Sequence, residues 1–231
     1  MGVRHDNPFG PGLFRFLRAI ARNNDKAWFD RHRDQYEDEV REPALVFIRM
    51  MAADLEKISP HLTARDRKVG GSLMRIHRDV RFSRDKRPFK TNVGIQFRHE
   101  AGKDVHAPGL YVHLEPKRCF LGCGMWRPAS DALKAVRRSI VEEPKSWKRA
   151  IGGKRFVEHW ELGGESLTRP PRGFAADHPL IEDLKRKDFI AFTEFADQEV
   201  LASAFPRSAA ERFRAAKPFL RWQADALGLL F

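Results

Sequence analysis

Residues 91–99 read Thr-Asn-Val-Gly-Ile-Gln-Phe-Arg-His, with Val93, Ile95 and Phe97 on one side and Asn92, Gly94, Gln96 and Arg98 on the other. Alternation with period two is the mark of a strand that buries one face and leaves the other polar. The pattern recurs twice. Leu110, Val112 and Leu114 alternate with Tyr111, His113 and Glu115. After the turn residues Pro116-Lys117, Cys119, Leu121, Cys123 and Met125 alternate with Phe120, Gly122, Gly124 and Trp126. Short runs of this kind separated by turns predict antiparallel strands. A shorter strand through Leu73, Arg75 and His77 is expected before them, so that the sheet runs from Leu73 to Trp126. The stretch Asp188 to Phe195 reads as one more strand returning to it.

The flanks have helical period. Phe14, Leu17, Ile20 and Ala21 share a face after Pro11-Gly12, and Asn24 is placed to cap a helix with Trp28, Phe29, His32 and Tyr36 inside. Pro43 suits the first turn of a third helix, striped by Leu45, Phe47, Ile48, Met51, Ala52 and Leu55 and ending before Ser59-Pro60. Helices are expected again from Ser130, after Pro144 and over Asp197 to Leu230, with a loop from Gly163 to His178. The expectation is one α+β domain over 1–231, helical at 10–60, mainly strands at 70–127 and mixed at 128–231. Its centre is an antiparallel sheet of about four to six strands flanked by N-terminal and C-terminal helices.

Composition excludes some classes. The 231 residues include 43 Lys and Arg against 31 Asp and Glu, a net charge of +12, and are 42% hydrophobic. That is enough apolar content for a core, so the chain is not a disordered basic tail. No apolar run approaches the ~18 residues of a membrane span, and no membrane partner is expected. The first six residues lack the apolar core of a secretory leader, and Asp6 stands where a myristoylation signal has Ser or Thr. Cys119 and Cys123, four apart on one strand, would lie ~13 Å from each other, beyond disulfide reach. They read as small buried hydrophobes, and a reducing cytoplasm is the expected location.

The charge is concentrated. Between Arg65 and Lys90 there are ten Lys and Arg but three Asp, more than half the net charge in 26 residues. Ser83-Arg84-Asp85-Lys86 is turn-forming, so this segment is expected to loop out between strands. Guanidinium forks and loop amides suit phosphate or carboxylate oxygens. The competing expectation is a solvated face in which Asp79 and Asp85 pair locally with arginines.

Several sharper matches fail. His77-Arg78-Asp79 spells a kinase catalytic triplet, but the remaining kinase signatures are missing. His77/Asp79 and His113/Glu115 are i,i+2 pairs able to ligate Zn²⁺ or Mn²⁺, yet neighbouring arginines oppose a cation, so no metal is assigned. Ser83 lacks the glycines of a nucleophile elbow, and Gly152-Gly153-Lys154 lacks the rest of a P-loop. No cofactor is expected.

In sequence order stand Asn23-Asn-Asp-Lys-Ala-Trp-Phe29, the run Arg78-Asp-Val-Arg-Phe-Ser-Arg-Asp-Lys-Arg-Pro-Phe-Lys-Thr91, Tyr111-Val-His-Leu-Glu-Pro116, Gly122-Cys-Gly-Met-Trp-Arg-Pro128, Pro171-Arg-Gly-Phe174 and Asp177-His-Pro179. Together they resemble the bacterial and fungal family catalogued as domain of unknown function 2461, from about Phe14 to the C-terminal helices. The resemblance implies a cytoplasmic α+β domain and no established activity. Where family members often have Tyr, this chain has His77 and Phe89.

In plain register, Asn92 and Gly94, Tyr111, then Gly122, Gly124 and Trp126 would line a shallow cleft on one sheet face, because strand glycines often mark close approach. A helix packed over those glycines is the competing expectation. The first functional expectation is binding of, or catalysis on, a small phosphorylated or carboxylated ligand. Arg75, Arg78, Arg81, Lys86 and Lys90 would hold the anion, with His113 and Asp79 as the catalytic pair. The alternatives are a nucleic-acid-binding module, using the same basic segment with Phe82, Phe89 or Trp126 for stacking, and an adaptor for an acidic protein. Whether the protein is an enzyme, and its oligomeric state, stay open.

Overall fold

A computed structural model describes residues 7–102 and 107–231; the readings made on residues 1–6 lie outside it. The N-terminal third winds through α1 (Pro11–Arg22), α2 (Lys26–Arg31), α3 (Arg33–Tyr36), a π-helical turn (Glu37–Arg41) and α4 (Glu42–Ile58), which leads into the two-residue strand β1 (Leu62–Thr63). The alternating segments form β2 (Val93–His99), β3 (Gly109–Leu114) and β4 (Cys119–Met125). Then come α5 (Ser130–Glu142), α6 (Pro144–Gly152), α7 (Lys154–His159), β5 (Glu161–Gly163), α8 (Ile181–Lys185), β6 (Phe189–Phe195), α9 (Asp197–Leu201), α10 (Phe205–Ala215) and α11 (Lys217–Ala226). The fold is α+β, with one antiparallel sheet of six strands among the described residues in the order β1-β2-β3-β4-β6-β5.

Register decides what each face carries. Ile95 pairs with Val112, Val112 with Leu121, Cys123 with Ala191 and Met125 with Phe189, so one face is apolar throughout. These side chains join Phe14, Phe47, Phe213, Phe219 and Trp147 in one buried cluster with the helices. Each Leu, Val or Phe so buried contributes roughly 1.5–3 kcal/mol before entropy. Both cysteines lie there as free thiols, and burial pushes that of Cys119 up to about 12.

Local details depart from expectation. Ala21 and Ala52 are exposed, at the rims of their helical stripes. Asp25, one residue after the expected cap, accepts from the Trp28 N–H at 2.8 Å. Its neighbour Asn24 reaches across the molecule instead, donating to the Phe89 carbonyl (3.1 Å) and accepting the Phe89 N–H (2.9 Å). The strand expected through Leu73, Arg75 and His77 is reduced to isolated bridges, Leu73 to Ile95 and His77 to Phe89. Between them the chain changes partner. Met74 bonds to Gly94 of β2, whereas Arg78 and Lys90 bond to Pro88 and Ile76, closing a narrow hairpin over 76–90.

At the far end of β4, buried Asp188 accepts the Arg127 N–H (2.7 Å) and the Glu165 N–H (2.9 Å), fixing the two turns that frame β6. Replacing Asp188 with Ala strands two backbone donors, each worth about 1–3 kcal/mol when desolvated. Asp188→Ala is therefore expected to lose ~2–5 kcal/mol in urea unfolding, and wild-type stability in that variant would refute the assignment.

Candidate functional site

The second face of the sheet is where the polar half of the alternation emerges. Gly94 pairs with His113, Gln96 with Tyr111, Tyr111 with Gly122, His113 with Phe120, Phe120 with Glu194 and Gly122 with Phe192. A groove of about 720 Å³ lies over these positions, and none of its lining residues comes from a helix. The hairpin supplies Arg78, Asp79 and Lys90 at one side, and Trp126 with Ile190 closes the opposite end. A volume of this size is typical of small-molecule sites.

The glycines serve different ends. An added Cβ at Gly94 would meet Met74 Sδ and the Tyr111 hydroxyl at 2.8 and 2.9 Å, so this glycine makes room for groove-wall side chains. At Gly122 the nearest neighbour is Tyr111. Gly124 has φ +107°, and a Cβ there would strike the Phe189 carbonyl at 2.1 Å and α11 Phe219 at 3.0 Å. The expected helix contact thus applies at Gly124 and not at the other two.

His113, 9% exposed, is the hub of a polar network. Its Nε2 lies 3.3 Å from Glu115 Oε2, and its Nδ1 3.1 Å from the Tyr111 hydroxyl and 3.5 Å from Asn92 Nδ2. Thr91 Oγ1 donates to the other Glu115 oxygen at 2.9 Å, and the imidazole stacks on Phe120 at 4.6 Å. Burial lowers the His113 pKa, and Glu115 partly offsets this. Burial also raises the Tyr111 phenol to about 12. Thr91, Glu115 and Phe120 were not among the expected site residues. Glu115 was legible as the third member of Tyr-x-His-x-Glu on one strand face. Phe120 required the register.

The basic residues do not converge. Arg78 donates to Asp85 (2.8 Å) and the Arg87 carbonyl (3.0 Å), Arg81 forks onto Asp79 (2.8 and 3.0 Å), and Lys86 reaches the Val80 carbonyl (3.1 Å). Arg87 forks onto Asp85 and holds it far below the usual carboxylate range, as Arg81 lowers Asp79. An Asp79 carboxylate committed in this way is a weak base. Arg75 lines a separate cavity of about 220 Å³ beside the π-helical turn, with Arg33, Arg41 and Tyr36. Lys90 shares the groove with Arg78, but its half-buried ammonium has no carboxylate within ion-pair distance among the described residues; Arg75 and Lys86 also lack one and lie outside the groove. Burial first, and Arg75 second, lower the Lys90 pKa. His77 stacks against Phe89 (5.1 Å) and Phe29 (6.1 Å), packing the hairpin onto α2. No group of three His, Cys, Asp or Glu side chains converges as a metal set among the described residues.

Residues 12–222 match the family described as conserved hypothetical protein DUF2461, and the chain belongs to that family. Comparison with curated proteins and with solved structures found no match.

The His113 network makes stability depend on pH. Because the folded imidazole titrates below the ordinary 6.5, the unfolded chain takes up the proton first as pH falls. The stability associated with neutral His113 is complete above the unfolded value and drains as pH drops toward the folded one. Paired urea melts of wild type and His113→Gln at stepped pH should show this slope in wild type and a shallower one in the variant. Equal slopes would show that His113 titrates normally.

Proposed function

We propose that this DUF2461 protein binds a small anionic ligand, carboxylated or phosphorylated, in the groove on the open sheet face, with Lys90 as its principal counter-charge. The observation that carries this reading is the Lys90 ammonium, partly desolvated and, among the described residues, lacking a carboxylate partner at the edge of a cavity with an otherwise largely apolar and aromatic floor. A buried cation without an anion is costly, and a ligand anion would relieve that cost. Arg78 lines the same groove and retains donors beyond its bonds to Asp85 and Arg87. The ion pairs at the hairpin tip are exposed and add little by themselves; Arg81 is held by Asp79 and Lys86 by the Val80 carbonyl, so both serve hairpin shape in this reading. Cytoplasmic location belongs to the same proposal, supported by two buried thiols that remain unpaired. No helix among the described residues is long and apolar enough to cross a membrane.

A second reading has one observation behind it. Phe82 is 95% exposed at the hairpin tip, with the Arg81 guanidinium 5.8 Å from its ring centre. Such a pair suits stacking on an unpaired base, and nucleic-acid binding of that kind would weaken steeply with salt. Retardation of single-stranded RNA at low salt that is lost in Phe82→Ala but kept in Lys90→Met would favour it.

Thermal-shift titration with inorganic phosphate, simple dicarboxylates and nucleotides tests the first reading. A ligand at a hundred times its Kd adds about 2.7 kcal/mol, or roughly 5–10 °C for a chain of this length. Lys90→Met should abolish most of the shift, and Arg81→Ala should keep it. Equal shifts in wild type and Lys90→Met would remove Lys90 from the site.

A further inference from the structure

The polar network has a direction. A carboxylate can only accept, so the Glu115 contact places the ring proton of neutral His113 on Nε2 and leaves Nδ1 as a bare acceptor. That lone pair faces the Tyr111 hydroxyl at 3.1 Å, with the Asn92 amide farther off at 3.5 Å. Tyr111 is a groove-lining residue, so the chain of groups runs from Thr91 and Glu115 through the imidazole to a phenol at the cavity wall. A structural histidine needs no such ordering. A carboxylate that orients an imidazole and stabilises its charged form, with the imidazole facing a hydroxyl, is the geometry of an activated oxygen.

We propose that the Tyr111 phenol is the proton-transfer group of the groove, that His113 is the positioning base behind it, and that the ligand carries an ionisable hydroxyl or acidic C–H besides its anionic group. This rests on the groove being a ligand site. In the transfer, the ligand's proton passes to the Tyr111 oxygen as the phenolic proton passes to His113 Nδ1. The bonding pair stays on the ligand, in the cavity that Lys90 lines, and Glu115 balances the imidazolium. Reversal returns the proton, so the step consumes no co-reactant. Tyr111 thereby takes the ligand-facing role that the residue pattern assigned to His113.

The groups that act on His113 are all in view. Tyr111 lies on its own strand and Glu115 directly after the end of that strand, Asn92 precedes β2, Phe120 and then Glu194 follow across β4 and β6, and Arg118 sits in the β3–β4 turn 3.9 Å from Glu115. Lys90, Arg78 and Asp79 face the groove from the hairpin. The chain contains two tyrosines, and the second, Tyr36, is buried beside α1 and α2, away from this face.

A covalent probe reads the phenol without knowledge of the natural ligand. 4-(Fluorosulfonyl)benzoate sulfonylates tyrosine: the phenol oxygen bonds to sulfur, fluoride leaves, and the phenolic proton must go to a base. Wild-type protein is labelled across the range from about pH 4 to about pH 11, so that the onset of any level region below the ordinary imidazole value is seen, and sites are mapped by peptide mass spectrometry. With His113 as the base, Tyr111 labelling should already be level at neutral pH, because a base whose pKa is lowered is deprotonated there. It should exceed that of a blocked free tyrosine by roughly tenfold or more at neutral pH. His113→Gln should remove that excess and restore a rate that climbs toward the phenol's own ionisation near 12. Glu115→Gln, which keeps the ring in place, should move the onset of the level region to lower pH and provides the test should His113→Gln fail to fold. A rate rising tenfold per pH unit in wild type, an unmoved onset in Glu115→Gln, or label on Lys90 or Tyr36 without Tyr111 would overturn the proposal. Added inorganic phosphate separates the two ideas. A level profile without protection leaves the Tyr111 role standing and counts against the anion site, whereas protection without a level profile does the reverse.

Discussion

A single layer of helices can hide only every second side chain of a strand. Every other feature of this protein follows from how the remaining side chains are used. The core helices lie against the face built from Ile95, Val112, Leu121 and Ala191 and bury it. Among the described residues no helix lines the groove on the opposite face, and Tyr111, His113, Phe120 and Phe192 cover each other there. A face of that kind must satisfy its own polar groups. It does so through contacts between residues two apart along β3 and just past its end, Tyr111 to His113 to Glu115, and through the cross-strand partners that register supplies.

The basic segment illustrates how little net charge says about binding. Of the cations that dominate residues 65–90, three arginines are engaged by Asp79 and Asp85, and both carboxylates are acidified by those contacts. The result is a hairpin tip whose two carboxylates are both committed to arginines while an excess of positive charge remains. Among the cations that line the groove from this segment, Lys90 stands out because its surroundings, apolar and cationic, disfavour its charge. Burial at one ammonium carries more chemical information than the whole excess of positive residues.

Much of the architecture was legible in advance. Period two in β2, β3 and β4 identifies the faces directly, and the turn at Pro116-Lys117 fixes β3 beside β4. The match between Gly94, Tyr111 and Gly122 was accessible because plain pairing brings those positions together. Other features were hidden for physical reasons. The segment around Leu73 alternates like a strand but divides its hydrogen bonds between β2 and the hairpin, a choice that no local pattern encodes. Arg75 belongs with Arg78 by spacing, yet the two line different cavities. Asn24 looks like a helix cap, and its true partner is 65 residues away.

That long-range pair has a mechanical consequence. Asn24 holds both backbone groups of Phe89, and Phe29 stacks on the same residue at 4.3 Å, so the base of the hairpin is clamped to the α1–α2 corner. Lys90 is the next residue along. The position of Lys90 in the groove is therefore set by the N-terminal helices as well as by the sheet it leads into. Any tilt of that corner would be delivered to the groove as a displacement of charge, with the hairpin acting as its lever.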